Sequence, residues 1–119
     1  MFLITVIEVA VPQNLSASDF TSTEFRVSWD IASDNAGAIA GYNLYYYSNT
    51  RSTEQAVRIN GPDNTSYLLT GLTRGTVYNI SVSARDGLGQ ESHRTTTKKF
   101  KTRKYRKSND AFTSLVRDS

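Results

Sequence analysis

The amino-acid sequence predicts an all-β protein, a single seven-stranded antiparallel β-sandwich. Three observations carry that prediction. Apolar residues recur at every second position in several runs. Clusters of Gly, Asn and Pro separate those runs at intervals of roughly ten residues. No segment before the C-terminal tail carries an apolar stripe at helical spacing.

The strands fall near residues 13–19, 23–30, 41–48, 55–60, 66–70, 77–85 and 93–102. Phe25, Val27 and Trp29 alternate with Glu24, Arg26, Ser28 and Asp30. Tyr42, Leu44 and Tyr46 alternate with Asn43, Tyr45 and Tyr47. Tyr78, Ile80, Val82 and Ala84 alternate with Asn79, Ser81, Ser83 and Arg85. Each run reads as a strand with one buried and one solvated face. Ser33-Asp34-Asn35-Ala36-Gly37, Asn60-Gly61-Pro62-Asp63-Asn64, Thr73-Arg74-Gly75-Thr76 and Asp86-Gly87-Leu88-Gly89 supply the turns. Such short connections suit antiparallel neighbours, and no helix is available for a parallel crossover. The expected inward set is Leu15, Phe25, Val27, Trp29, Ile39, Tyr42, Leu44, Tyr46, Val57, Ile59, Tyr67, Leu69, Leu72, Tyr78, Ile80, Val82, Ala84 and Phe100.

The chain of 119 residues suffices for one core. Cysteine is absent, which excludes disulfides, thiolate zinc and a cysteine nucleophile. His93 is the only imidazole, and no acidic neighbour orients it as a base. The carboxylates are scattered rather than paired across a cleft. Gly87-Leu88-Gly89 lacks the following helix that a phosphate cradle needs. No catalytic residue, metal site or cofactor is therefore expected, and no small-molecule substrate. No apolar run is long enough to span a bilayer. The apolar start, Met1 to Ile7, lacks a basic leader and a small-residue cleavage site. It reads as an opening strand or the end of a neighbouring module.

The residues now in view resemble the fibronectin type III family, whose fold is an immunoglobulin-like β-sandwich. Pro12-Gln-Asn-Leu15, Val27-Ser-Trp29, Gly41-Tyr42-Asn-Leu44-Tyr-Tyr46 and Tyr67-Leu-Leu69-Thr-Gly71-Leu72 follow its pattern in order. So do Gly75-Thr-Val-Tyr78-Asn-Ile80-Ser-Val82-Ser-Ala84, Asp86-Gly-Leu-Gly89-Gln-Glu-Ser92 and Phe100-Lys-Thr102. The resemblance divides the chain into an N-terminal extension or module remnant (1–10), the domain (11–102) and a basic tail (103–119). It makes Trp29, Tyr42, Leu72 and Tyr78 the structural core. Tyr78, six residues after Leu72, stands where a tyrosine corner would bond backbone at the turn. Arg74 stands where the family often has Pro. In some members an Arg-Gly-Asp triplet binds integrins; here the order is Arg85-Asp86-Gly87, so that motif does not match.

The resemblance implies a non-catalytic protein-interaction or adhesion module of a larger extracellular or cell-surface protein. Its partners would be other proteins, met through strand faces or loops. The alternative is an intracellular spacer in a multi-domain array. Three sequons, at Asn14, Asn64 and Asn79, are candidate glycosylation sites if the chain is secreted. Asn14 and Asn79 fall on the outward phase of their strands, and Asn64 lies in a turn.

Charge is divided along the chain. Residues 1–97 hold six Lys/Arg against nine Asp/Glu; residues 98–119 hold eight against two. Lys98, Lys99, Lys101, Arg103, Lys104, Arg106 and Lys107 concentrate seven cations in ten positions, as in the basic clusters of heparin-binding proteins. Three readings stand: an edge strand kept soluble by lysines and followed by a linker, a heparan sulfate or other polyanion site, and a nucleic-acid role. The last lacks a reading helix or stacking platform. Phe112, Leu115 and Val116 have helical spacing, but one turn is marginal in water and the tail is expected to be disordered.

Overall fold

The computed structural model describes residues 9–31 and 39–104. Within them lie seven strands: β1 (Gln13–Ser18), β2 (Phe25–Asp30), β3 (Ile39–Ser48), β4 (Arg51–Asn60), β5 (Ser66–Leu69), β6 (Val77–Asp86) and β7 (Lys98–Lys101). They form two antiparallel sheets, ordered β1-β2-β5 and β4-β3-β6-β7. The fold class is therefore the seven-stranded sandwich that the alternation predicts. All of the expected disordered tail beyond Lys104, its helical turn, the turn at 33–37 and most of the N-terminal extension lie outside the described residues, as do Arg106 and Lys107.

The inner faces meet in a core built from the period-two residues. Phe25, Val27, Tyr42, Leu44, Ile80 and Val82 are fully buried. Trp29 is 2% exposed and meets Tyr42 edge-to-face, ring centroids 5.3 Å apart. Its indole N–H finds no acceptor among the described residues. A buried donor left unmade costs about 1–3 kcal/mol. At the other end Phe25 packs against Phe20, Tyr78 and Phe100. Tyr46, Val57, Tyr67 and Phe100 pack on this core but remain half-buried at its margin.

The turn before β6 is closed by two side chains. Tyr78 Oη accepts the Thr73 N–H at 2.8 Å, so the buried ring keeps its polar end satisfied. Thr102 Oγ1 accepts the Thr76 N–H at 3.0 Å and donates to the Thr73 carbonyl at 2.6 Å. The segment beyond β7 is thus anchored from within.

Two expected strand boundaries are corrected. The last strand, expected over 93–102, forms a ladder only from Lys98 to Lys101. Upstream, pairing with β6 is half backbone and half side chain: the Ser92 and Thr95 N–H groups donate to the Ala84 and Val82 carbonyls, while Ser92 Oγ accepts the Ala84 N–H and Thr95 Oγ1 accepts the Val82 N–H. The second strand begins at Phe25, not residue 23, because Thr21 Oγ1 takes the N–H groups of Thr23 and Glu24 and forms a turn. Packing also reaches past the strands at both ends. Val9 belongs to the core, and Arg103 exchanges backbone bonds with Thr21 and Gly75.

Candidate interaction surfaces

The basic cluster sits on the edge of the four-stranded sheet. Pairing of Asn79 with Lys99 and Val77 with Lys101 puts both lysines on the outer face, while Phe100, opposite Tyr78, turns inward. Lys98 shares the inward phase of Phe100 but escapes along the seam. Its Nζ donates to the Leu15 carbonyl at 2.9 Å. Arg103 Nε donates to the Phe20 carbonyl at 3.0 Å. All five described cations (Lys98, Lys99, Lys101, Arg103 and Lys104) are exposed, and none is ion-paired with a described carboxylate.

The candidate asparagines fare differently. Asn14 and Asn64 are exposed. Asn14 Nδ2 donates to Asp30, and Asn64 Nδ2 donates to the Asn60 carbonyl. Asn79 is 2% exposed. Its Nδ2 donates to Asn49 Oδ1 at 2.7 Å and to the Tyr47 carbonyl, while its Oδ1 accepts from Lys99 Nζ. The expectation that Asn79 has room for a glycan is corrected: the nitrogen that would carry the sugar is enclosed and already bonded.

Asn79 is part of a feature that alternation did not reveal. Asn79, Ser81, Ser83 and Arg85, the outer-face residues of β6, are all buried. Side chains of the flanking strands and of the 91–95 segment close over them. Arg85 lies across β3 above Gly41, and its guanidinium donates to the Ile59 carbonyl and Asn60 Oδ1 at 2.8 and 2.9 Å. A Cβ on Gly41 would stand 2.3 Å from the Ile59 oxygen and 2.8 Å from that guanidinium. Burial lowers the Arg85 pKa, nearby Arg58 lowers it further, and Glu91 opposes both.

Glu91 accepts hydrogen bonds from Ser83 Oγ and Tyr45 Oη. These bonds, the Ser83 one foremost, hold its carboxyl below the ordinary range. Arg94 stacks on the Tyr45 ring at 3.5 Å and bridges to Glu54 at 2.9 Å. The bond to Glu54 raises its pKa. This network ties β4, β3 and β6 together. Its polar groups serve one another.

Beyond it, the 86–90 turn is stiffened by Asp86, which accepts from the Leu88 and Gln90 N–H groups and from Gln90 Nε2. Leu88 at its tip is 87% exposed. A groove of about 630 Å³ lies beside it, walled by Asn43, Arg58, Arg85 and Glu91. A second, of about 620 Å³, opens near β4 and the Tyr78 turn. Among the described residues no group of three or more His, Asp or Glu could hold a metal ion. Nor is any described helix long and apolar enough to cross a membrane.

Known proteins share this architecture. The family model for the fibronectin type III domain matches residues 10–98. Chitinase Chi52 of Paenibacillus xylanexedens is 33% identical over 88 residues, covering 74% of this chain and 15% of the chitinase. The netrin receptor DCC of Mus musculus is 35% identical over 88 residues, covering 71% of this chain and 6% of the receptor. The chain thus spans a small part of these relatives. A two-domain fibronectin type III segment of chicken tenascin superposes with a TM-score of 0.70 at 27% identity, over 80% of this chain and 51% of that segment. On the family match and these relatives, the chain belongs to the fibronectin type III family.

Proposed function

We propose that this chain is a non-catalytic interaction and adhesion module of a larger extracellular or cell-surface protein. The basic last strand and tail would be its polyanion-facing edge, with heparan sulfate as the ligand class. One observation carries the second half of that reading. Five cations line β7 and the residues after it, and no described carboxylate neutralises any of them. Lys99 and Lys101 share the outer face, and Lys104 follows. A row of uncompensated ammonium groups attracts sulfate or phosphate at long range and binds by releasing counterions. The larger setting draws on the relatives: the same module accompanies a receptor and a chitinase as a minor fraction of each. That pattern favours chemistry residing elsewhere in such chains. It also fits the outer-face network, whose polar groups bond one another.

Heparin affinity chromatography in a salt gradient tests the proposal. The 119-residue chain should elute well above physiological salt, and a Lys99→Gln/Lys101→Gln/Lys104→Gln variant markedly earlier. Log affinity should fall linearly with log salt, less steeply for the variant. A chain ending at Lys104 separates strand from tail. Elution of the intact chain at physiological salt, together with the neutralised variant, would remove the polyanion reading.

A further inference from the structure

We propose that the exposed edge of β4 pairs antiparallel with β4 of a second copy of this chain, with Ala56 at the two-fold axis. The four sheet edges are not alike. β1 is irregular between Gln13 and Ser16, holds Asn14 at φ 56°, and has its Leu15 carbonyl capped by Lys98. β5 is four residues long. β7 is also four residues long, three of them lysine. These are the usual ways of blunting an edge. β4 is ten residues long and runs in unbroken register against β3 from Gln55 to Asn60, with an irregularity only on the Arg51 side.

The direction of its free groups follows from one bond. The Gly61 N–H bonds the Ala40 carbonyl, which extends the β3–β4 ladder by one step. In an antiparallel pair, alternate residues turn both backbone groups toward the neighbour. Gly61, Ile59, Val57 and Gln55 therefore face β3, while Arg58 and Ala56 face outward. No hydrogen bond from the rest of the described molecule reaches the backbone of either.

Charge selects the occupant and the register. Ala56 and Arg58 stand opposite Tyr45 and Asn43, so their side chains lie on the outer face. Glu54 reaches the same face, since its Oε2 bonds the Arg94 that stacks on Tyr45. Self-pairing must set even-numbered residues opposite one another to join free groups. Glu54 opposite Glu54, or Arg58 opposite Arg58, sets like charges together. Ala56 opposite Ala56 sets Glu54 against Arg58 of the second copy, twice by symmetry. Opposite charges directly across strands stabilise a pair and like charges destabilise it. Each four-stranded sheet would then be half of one continuous sheet.

Analytical ultracentrifugation of the full chain over a concentration series tests this. The wild-type chain should shift from monomer to dimer. Glu54→Arg alone and Arg58→Glu alone should each weaken self-association by on the order of tenfold or more. An equimolar mixture of the two variants should dimerise, because an all-basic edge then meets an all-acidic one. Ala56→Pro should also abolish the dimer, since its N–H is outside the β3 ladder; circular dichroism checks that each variant is folded. A wild-type chain that stays monomeric up to about 1 mM overturns the proposal. So does a dimer that survives both charge reversals, or a mixture that remains monomeric.

Discussion

Tyr42 offers a measurable link between the buried core and solution pH. Its ring is fully buried and its hydroxyl donates to the Pro62 carbonyl at 2.7 Å. Burial, and then the negative charge of Asp63, push the phenol from 10.0 up to about 12. Replacing Tyr42 by Phe removes the hydroxyl and leaves the ring. At neutral pH the loss is that of one hydrogen bond, about 1 kcal/mol. At alkaline pH the sign changes. Above pH 10 the unfolded chain releases the phenol proton while the folded chain retains it, so wild-type stability falls as pH rises. The contribution is complete below pH 10 and lost through pH 12, a difference of about 2–3 kcal/mol. Every other group is common to the two proteins and cancels in the comparison. The Tyr42→Phe variant lacks this loss, so the two stability curves should cross at about pH 11. Urea unfolding from about pH 7 to about pH 11.5, followed by Trp29 fluorescence, measures both. Parallel curves over that range would refute the assignment of the alkaline loss to Tyr42.

Other perturbations follow from the same geometry. Glu91 has its carboxyl depressed by bonds from Ser83 and Tyr45, so its contribution is present above the ordinary carboxylate range and lost as pH falls below it. Thermal melts between about pH 6 and about pH 3 should show wild type losing more stability than Glu91→Gln. Gly41→Ala should destabilise by about 1–3 kcal/mol through overpacking against the Ile59 carbonyl. Because that contact is backbone, the loss should persist in an Arg85→Ala background; full rescue there in chemical denaturation would be incompatible with it. Thr102→Val should cost about 1–3 kcal/mol by orphaning the Thr76 N–H. Hydrogen exchange at Thr76 should accelerate in that variant, and unchanged protection would argue against the bond.

The fold was legible because alternation reports which way a side chain points, and the core depends on little else. Phe25-Val27-Trp29 and Tyr78-Ile80-Val82-Ala84 each bury the face that their spacing designates. The same rule failed on the other face. Asn79, Ser81, Ser83 and Arg85 point outward as spaced, yet β6 has neighbours on both sides, and their side chains cover it. Period two assigns a face but not its wetness, since coverage depends on side chains distant in sequence. Glu91, Arg94 and Lys99 are such residues, and only the pairing of β6 with its neighbours brings them near. The length of the last strand was hidden for a related reason. Thr95 falls inside the expected strand and Ser92 just before it, but their hydroxyls accept the Val82 and Ala84 N–H groups that a longer strand would have paired.

That distinction bears on where recognition can occur. On the outer face of the β3–β6 pair, the polar groups are committed to one another. Arg85 is bonded to Ile59 and Asn60, and Glu91 to Ser83 and Tyr45. A partner binding there would have to replace bonds already made, at a loss set by each buried group left unpaired. The edges carry no such penalty. β4 presents backbone groups without a partner in the described molecule, and β7 presents cations without a counter-charge among the described residues. The two edges lie at opposite ends of one sheet, so both could be occupied at once. Pairing two copies through β4 would also place one basic edge at each end of the joined sheet. A polyanion long enough to reach both would then bind through two sites, and its affinity would rise by effective concentration rather than by any new contact.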